Sequence, residues 1–404
     1  MGSEGMTLKS LKGLLSASFG TFAYAVLQAV VLRVIAQSGG AEDVGLFLLA
    51  QAIATPVTLL SGLRLRDQLS TEAIPGGVGP YLFRLVSIGG PLGIVGALGW
   101  LVFANTATAI VGIGVLVANL SQSFIWAVQG AHTRRGAIRE VNLLDVSLGV
   151  SALASAIWAY GSGNGLAALA AALGGSWFAI GFLSVLRALG GVRSMFNRSA
   201  PPTTVKNDLA MGVGAMGAVG QITSARLGTV AVLGQESLAR IGSGSFLVRT
   251  AIPLVSGGLR VLSPRLAHAH QTGASAVLAF EELVVRRVLG AAGFLAIGAG
   301  AIGYFIGPAV IGLIFDPEVA PTPGTTAILL GAAPILYSSM ILAQLFVARR
   351  DSRSVTAMSF SALAVTGVLI LPLSQAFGDV GAAAALALGY LVRVSVATVR
   401  IRSR

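Results

Sequence analysis

The stretch "VLGAAGFLAIGAGAIGYFIGPAVIGLIF", residues 288–315, contains no charged side chain and is apolar on every face of a helix. At a rise of about 1.5 Å per residue, roughly 20 such residues cross a hydrocarbon core about 30 Å thick. A membrane β-barrel would instead show segments of about ten residues with alternating polarity. The sequence therefore predicts membrane-spanning helices.

The rest of the chain has the same character. Its 404 residues are 55% hydrophobic and 10% charged, a composition outside the range of soluble globular domains. No cysteine is present, so neither a disulfide nor a thiolate metal site can form. We expect an all-α polytopic membrane protein with twelve transmembrane helices, at 15–36, 44–62, 81–103, 107–130, 141–160, 165–186, 209–233, 240–262, 287–310, 323–348, 354–376 and 380–400.

The 27 basic residues alternate between the two sides of the predicted membrane. Six short connections, beginning with "QSGGAED" and ending with "QAFGD", contain only Arg240 among them. The positive-inside rule then places both termini in the cytoplasm; the expected location is the cytoplasmic (inner) membrane, which the family resemblance given below implies is that of a bacterial cell. Because topology explains the basic surplus, no nucleic-acid partner is expected. The first span is too long for a signal peptide and should stay attached, with Met6 an alternative start to Met1.

The chain divides at its middle into two halves of similar plan. We predict an N-terminal six-helix bundle at 1–186, a cytoplasmic linker at 187–208 and a C-terminal six-helix bundle at 209–404. Pro56 precedes "SGLRLRDQLS" in the second span, and Pro253 precedes "SGGLRVLSPRLA" in the eighth. This repetition at matching positions favours two halves with the same topology.

Two kinds of motif that can mark a ligand site are not expected to bind a ligand here. The patterns "GVGAMG" (212–217) and "GAGAIG" (298–303) match the dinucleotide fingerprint, but each lies within a span, where close helix packing is the better explanation. His268 and His270 point to different helix faces, and His132 is remote, so no metal site is expected. The chain has no Walker P-loop, and we expect no cofactor.

Polar side chains recur at helical spacing in spans one, two and four. They would either form hydrogen bonds between helices or line one wall of a wet cavity. The candidates are Thr21, Tyr24, Gln28, Gln51, Thr55, Asn119, Gln122, Trp126 and Gln129, with Gln221 added from span seven.

Three arginines depart from the positive-inside pattern. Arg226 and Arg249 lie inside spans seven and eight, and Arg33 lies near the outer end of span one, where it could extend to the interface. An arginine at a helix centre costs about 2.5–3.5 kcal/mol, so neither deep arginine should face lipid. Neither span seven nor span eight contains an acid, and only Asp145 lies near a span interior. A long-range ion pair is one explanation; a cavity for an anionic ligand is favoured, because a guanidinium can donate two hydrogen bonds to adjacent phosphate oxygens.

These features resemble a known family. Twelve spans in two halves, the segment "DVGLFLLAQAIATPVTLLSGLRLRDQLSTE" (43–72) and a cationic cavity resemble the Wzx-type lipid-linked oligosaccharide flippases. This family is the polysaccharide-transporter branch of the MOP/MATE exporter superfamily. The resemblance implies two six-helix bundles that form a V around a central cavity and open alternately to each side.

The same resemblance implies a function. The chain would not be an enzyme; it would move a polyprenyl-pyrophosphate oligosaccharide from the cytoplasmic to the outer leaflet for surface polysaccharide (O-antigen) biosynthesis. Arg226, Arg249 and Arg33 would bind the pyrophosphate, while the polar candidates bind sugar hydroxyls and Trp126 stacks on a ring. Membrane lipids and a polysaccharide polymerase or other assembly proteins are the further partners it suggests.

Other functions remain open from the residues. A MATE-like cation-coupled multidrug antiporter is the main alternative, although MATE exporters usually carry an acid in the first span, where this chain has none. A membrane glycosyltransferase or polymerase would need a larger outer loop, and a purely structural role is the last alternative. The sugar, the coupling ion and the oligomeric state are not determined by the sequence.

Overall fold

The computed structural model describes residues 8–62, 79–189, 205–250, 252, 255, 259, 276–349 and 351–402. These residues form eleven α-helices and one short 3-10 helix, with no β-strand among the described ranges. The all-helical prediction is confirmed. The helices are α1 (Leu8–Gly62), α2 (Gly79–Phe103), α3 (Thr106–Arg134), α4 (Ile138–Gly161), α5 (Gly165–Leu189), α6 (Val205–Leu233), α7 (Gln235–Thr250), α8 (Ala276–Phe305), α9 (Gly307–Ile314), α10 (Pro323–Ala348) and α11 (Ser352–Arg402), with the 3-10 helix Pro317–Val319 between α9 and α10.

Eight of the described helical segments are long and apolar enough to cross a membrane. Two of them, Ser18–Leu59 with 42 residues and Ser352–Arg402 with 51, are each long enough for two crossings. Together with α6 and α7, which are less apolar, these helices supply the twelve crossings that the sequence predicts. The chain is a multi-pass membrane protein.

Two of the predicted polar connections are single-residue breaks in long helices. Gly40 has φ 74° and ψ −174° inside α1, and Gly378 has φ 58° and ψ −137° inside α11. Glycine adopts such positive φ values without the steric cost that a Cβ would bring. Each break gives one helix two arms that act as separate spans: 8–39 and 41–62 in α1, and 352–377 and 379–402 in α11.

The core is built by helix pairs within each half, and α1 joins the halves. In the N-terminal half α1 packs on α4 and α3 packs on α5; in the C-terminal half α6 packs along α11 and α8 along α10. Only small residues allow some of these approaches: a Cβ on Gly174 would lie 2.8 Å from the carbonyl oxygen of Gly114. Between the halves, α1 contacts α6 and α7.

The two glycine-rich patterns lie at helix contacts. Gly217 packs against Phe360 of α11, where an added Cβ would meet the ring at 2.8 Å. Gly303 of α8 approaches the carbonyl oxygen of Thr326 in α10 equally closely. The helix-packing interpretation is confirmed at these two glycines. The predicted linker 187–208 and the repeated segments after Pro56 and Pro253 lie largely outside the described residues.

Several short connections meet at one end of the bundle. The hydroxyl of Tyr160, at the end of α4, donates to Oδ2 of Asp43 at 2.9 Å. Arg240 Nε, near the start of α7, donates to Oδ2 of Asp379 at 2.8 Å, just after the break in α11. We call this end, formed by the connections 37–43, 161–164, 234–240 and 375–379, the short-loop end. The topology prediction assigns it to the outer face of the membrane.

Candidate functional site

A buried carboxylate lies at the centre of a polar network in the N-terminal half. Asp145 of α4 is only 5% exposed. Its Oδ2 accepts a hydrogen bond from Thr21 Oγ1 at 2.9 Å, and its Oδ1 accepts one from Gln129 Nε2 at 2.6 Å. These two donors offset part of the cost of burying the carboxylate. Asp145 is a functional candidate that the sequence analysis did not select, although it is the acid nearest a span interior.

The same region contains a second pair of predicted polar residues. Gln122 Nε2 donates to the hydroxyl of Tyr24 at 3.3 Å, and the Tyr24 ring lies 6.2 Å from that of Trp177. Thr21, Tyr24, Gln122 and Gln129 therefore form hydrogen bonds between helices, which is the first of the two explanations given for them. Oε1 of Gln129 is buried and has no hydrogen-bond partner among the described residues.

The remaining polar candidates of the N-terminal half lie outside this network. Thr55 donates to the carbonyl of Gln51 in its own helix, and Asn119 does the same with Val115. Gln28, Gln51 and Trp126 are half-buried. Among the described residues no hydrogen bond joins these side chains to Asp145, so their lining role stays a prediction.

The C-terminal half buries positive charge instead. Arg226 of α6 is 8% exposed, and its single hydrogen bond within the described ranges runs from Nη1 to the carbonyl oxygen of Leu48 at 3.3 Å. Arg249 lies at the end of α7 and is half-buried. In the part of the chain that the structure describes, neither guanidinium pairs with a carboxylate; the ion pairs there include those of Arg240 and Arg286.

A tyrosine and a third arginine of α11 complete this cationic cluster. Tyr390 is 5% exposed, and its hydroxyl lies within electrostatic range of Arg226, Arg249 and Arg393. Arg226 and Arg249 also interact electrostatically with each other. The sequence analysis did not select Arg393. Arg393 lies seven residues before Arg400, about two helical turns deeper in the predicted span. This depth could have distinguished it from the basic residues at the end of the helix.

A small cavity lies directly beside Arg226. It has a volume of about 20 Å³, enough for about one water molecule, and its polar lining comes from Arg226, Thr229 and Ser245. Gln221, five residues before Arg226 on the same helix, is fully buried and donates to the carbonyl of Leu386 at 3.3 Å. As in Gln129, its Oε1 has no hydrogen-bond partner in the part of the chain that the structure describes.

Arg33 occupies a different environment from the other two predicted arginines. Its side chain is exposed, and Nη1 donates weakly to the carbonyl oxygen of Leu313 at 3.5 Å. The structure thus brings Arg226 and Arg249 together and leaves Arg33 on an exposed face. This placement fits an arginine that extends toward the membrane interface.

Comparison with known proteins identifies the fold. No protein-family model and no curated protein matches the chain. Among solved structures, a mutant of the Vibrio cholerae MATE transporter VcmN is 16% identical, with a TM-score of 0.69 and coverage of 97% of this chain and 95% of that one. A ligand complex of the MATE multidrug transporter DinF-BH is 15% identical, with a TM-score of 0.69 and coverage of 100% and 97%.

The chain has the fold of MATE and MOP superfamily transporters. A further structure with this fold is a MOP superfamily transporter from Pyrococcus furiosus, described by a reverse polarity of its binding pocket that suggests a different function. It is 12% identical to this chain, with a TM-score of 0.61 and coverage of 97% of this chain and 95% of that one. Charge within the fold therefore differs between its members, and the buried charges of this chain have to be interpreted from its own residues.

Proposed function

We propose that this protein is a transporter that moves a polyprenyl-pyrophosphate-linked oligosaccharide from the cytoplasmic to the outer leaflet for surface polysaccharide biosynthesis. The observation that supports this function is the pair of Arg226, which is buried, and Arg249, which is half-buried; no carboxylate among the described residues pairs with either. A membrane helix tolerates such charges when they face a partner or a cavity, because facing lipid is costly. An anionic substrate would be that partner.

Pyrophosphate suits this cluster chemically. A guanidinium donates through a planar fork and keeps its charge at every physiological pH, so two arginines can hold several phosphate oxygens at once. Tyr390 interacts electrostatically with Arg226, Arg249 and Arg393, so it would add a hydroxyl donor and Arg393 would add further positive potential. Export of an anion across an inside-negative membrane is favoured by about 2.3 kcal/mol per elementary charge per 100 mV, so the membrane potential could supply part of the driving force.

The sugar part of the substrate would contact the N-terminal half. Gln28, Gln51 and Trp126 are half-buried there, so they retain accessible surface for hydroxyl groups and a sugar ring. Arg33, being exposed, would contact phosphate only at the membrane interface. A polymerase or another assembly protein of the same pathway would then receive the exported lipid.

A second candidate function is a cation-coupled multidrug antiporter. The buried carboxylate of Asp145 favours it, because a carboxylate can exchange a proton or bind a cation, and MATE multidrug transporters share the fold. The two functions depend on opposite charges in opposite halves of the molecule. Variants of Asp145 and of the arginines can therefore separate them.

The test is a chromosomal deletion of the gene, complemented with wild-type or variant protein. Lipid extracts are analysed by mass spectrometry and surface polysaccharide is measured alongside. We expect the deletion strain to accumulate polyprenyl-pyrophosphate oligosaccharide and to lose surface polymer, with rescue by wild type and not by Arg226→Ala. Arg286→Ala is the matched control, because Arg286 forms an exposed pair with Glu282 away from the cluster.

Three results would count against the flippase. Unchanged lipid intermediates and polymer in a strain with no second flippase would favour the antiporter. Full rescue by a protein lacking both Arg226 and Arg249 would remove the observation on which the proposal rests. Loss of drug resistance in the Asp145→Asn strain, with normal polysaccharide, would support the antiporter directly.

A further inference from the structure

The two halves are joined at a carbonyl group that a proline leaves free. Pro56 lies inside the second arm of α1 and has no N–H, so the carbonyl oxygen of Ala52 loses its usual partner four residues on. Thr223 of α6 supplies the missing hydrogen bond: its Oγ1 donates to Ala52 O at 2.9 Å. A side chain of the C-terminal half thus completes the backbone hydrogen bonding of the N-terminal half.

One turn away, Arg226 makes a second hydrogen bond from the C-terminal half to a backbone carbonyl of α1. Its Nη1 donates to the carbonyl of Leu48, one turn before Ala52 on α1. At about 1.5 Å per residue, Leu48 lies about 12 Å and Ala52 about 18 Å along α1 from Gly40. The hydrogen bond to Leu48 therefore lies in the half of the membrane adjoining the short-loop end, and the one to Ala52 lies near the middle of the membrane.

Close packing seals the molecule between these hydrogen bonds and the short-loop end. Gly45 meets the backbone of Gln235, and Gly242 meets the side chain of Leu48, so closely that neither glycine has room for a Cβ. Phe47 and other fully buried apolar residues of both halves share one cluster there. In this structure the short-loop end is closed between α1 and α7.

Access to Arg226 is limited by this closure. The cavity beside its guanidinium has a volume of about 20 Å³, which holds about one water molecule and is too small for a pyrophosphate group. Gly242 lines that cavity and packs directly against Leu48. Among the described residues, an anion that reaches Arg226 through this cavity has to displace the second arm of α1 or the helices around the cavity.

We propose that Thr223 and Arg226 form a latch that holds the second arm of α1 against α6, and that an anion binding at Arg226 releases it. A phosphate can accept two parallel hydrogen bonds from the guanidinium and carries the opposite charge, whereas Leu48 O is a single neutral acceptor at 3.3 Å, so the anion outcompetes Leu48. Release of α1 then opens the short-loop end. We call release of the latch by the anion the trigger. The trigger rests on the proposed function, whereas the latch rests on the contacts alone.

The experiment measures the opening of the short-loop end directly. The chain has no cysteine, so spin labels can be attached at Glu42→Cys and Glu236→Cys, two exposed positions on opposite halves. Double electron–electron resonance reports the distance between them in nanodiscs, with and without undecaprenyl pyrophosphate. Binding of the same probe is measured separately for each variant.

We expect the wild type to show a short distance that lengthens when the probe binds. Thr223→Val leaves Ala52 O without a partner in the closed state, so it should raise the open-to-closed ratio about tenfold without the probe. Thr223→Ser should behave as wild type. Pro56→Ala returns an N–H to Ala52 O within α1 and should cancel the effect of Thr223→Val in the double variant. Thr398→Val is the matched control, since Thr398 bonds within its own helix.

The latch is overturned if Thr223→Val leaves the distance distribution unchanged, or if Pro56→Ala does not suppress its effect. The trigger is overturned if the probe binds to the wild type without lengthening the distance. A wild-type protein that fails to bind the probe contradicts the proposed function and the trigger together. In that case the Thr223→Val result without the probe still decides whether the latch exists.

Discussion

The two halves of the molecule bury opposite charges in different ways. In the N-terminal half, the carboxylate of Asp145 accepts hydrogen bonds from Thr21 and Gln129. In the C-terminal half, Arg226 has one weak hydrogen bond to a carbonyl, and no described carboxylate balances it or Arg249. A buried charge with its partners in place is compatible with a structural role. The buried charge without them is the basis of the proposed anion site.

The largest expected effect is a loss of anion binding when two arginines of the C-terminal half are replaced. Replacement of both Arg226 and Arg249 by alanine should weaken binding of undecaprenyl pyrophosphate at least ~100-fold, because hydrogen bonds to charged groups contribute about 1.5–3 kcal/mol each. Microscale thermophoresis of the purified protein checks this. The double lysine variant keeps the charge without the planar fork and should give an intermediate affinity. Unchanged affinity in the alanine variant would remove the difference between the halves.

The next effect is a loss of stability when Asp145 of the N-terminal half is replaced. Asp145→Ala leaves the buried groups of Thr21 and Gln129 without their acceptor and should destabilise the protein by about 2–4 kcal/mol, seen as a lower unfolding temperature in detergent. Asp145→Asn should be much milder, since the new amide can donate to the unpartnered Oε1 of Gln129. Equal destabilisation by the two variants would mean that the negative charge itself is required. Loss of transport in a stable Asp145→Asn protein would favour the antiporter.

A smaller loss of stability is expected at Gly389, where neighbouring side chains pack closely beside the cationic cluster. A methyl group on Gly389, which precedes Tyr390, would overlap the side chains of Thr366 and Gln221. Gly389→Ala should therefore destabilise the protein by about 1–3 kcal/mol through overpacking. Gly367→Ala is the matched control on the same helix, because nothing lies within 4 Å of its added Cβ. Thermal unfolding of the two proteins side by side tests this, and equal unfolding temperatures would contradict the close approach.

The smallest effect should come from a charge that has a partner near the surface. Arg240 forms an ion pair with Asp379 at 2.8 Å, with 30% of its side chain exposed. Such pairs contribute about 0–1 kcal/mol, so Arg240→Ala should change the unfolding temperature by a few degrees at most and leave probe binding unaffected. A loss of binding comparable to that of the Arg226 variants would show that arginine position within this half is unimportant.

The comparison also shows which parts of the site could be predicted. Arg226 and Arg249 stand out in the sequence because a charge within an apolar span is rare at any position. Asp145 was noticed by the same criterion, yet its partners Thr21 and Gln129 looked like one stripe among several. Arg393 was hidden because it belongs to a series of basic residues at the end of its helix.

Other features depended on backbone geometry that hydropathy does not report. The connection 37–43 was expected to be a polar loop, but it is helical apart from the break at Gly40. Pro56 stood out in the sequence as a proline inside a predicted span. That its free carbonyl at Ala52 meets Thr223 of the other half was not predictable, since 171 residues separate the two in the chain.

By itself, the sequence determined the helical class, the number of spans and the positions of the charges within them. These properties are local, because each membrane helix satisfies its own backbone and its length follows from bilayer thickness. Only the tertiary structure decided which charges have partners. Asp145 meets Thr21 across 124 residues, and Arg226 meets Leu48 across 178. Such contacts arise from how helices pack against one another, which the hydropathy of a single span does not specify.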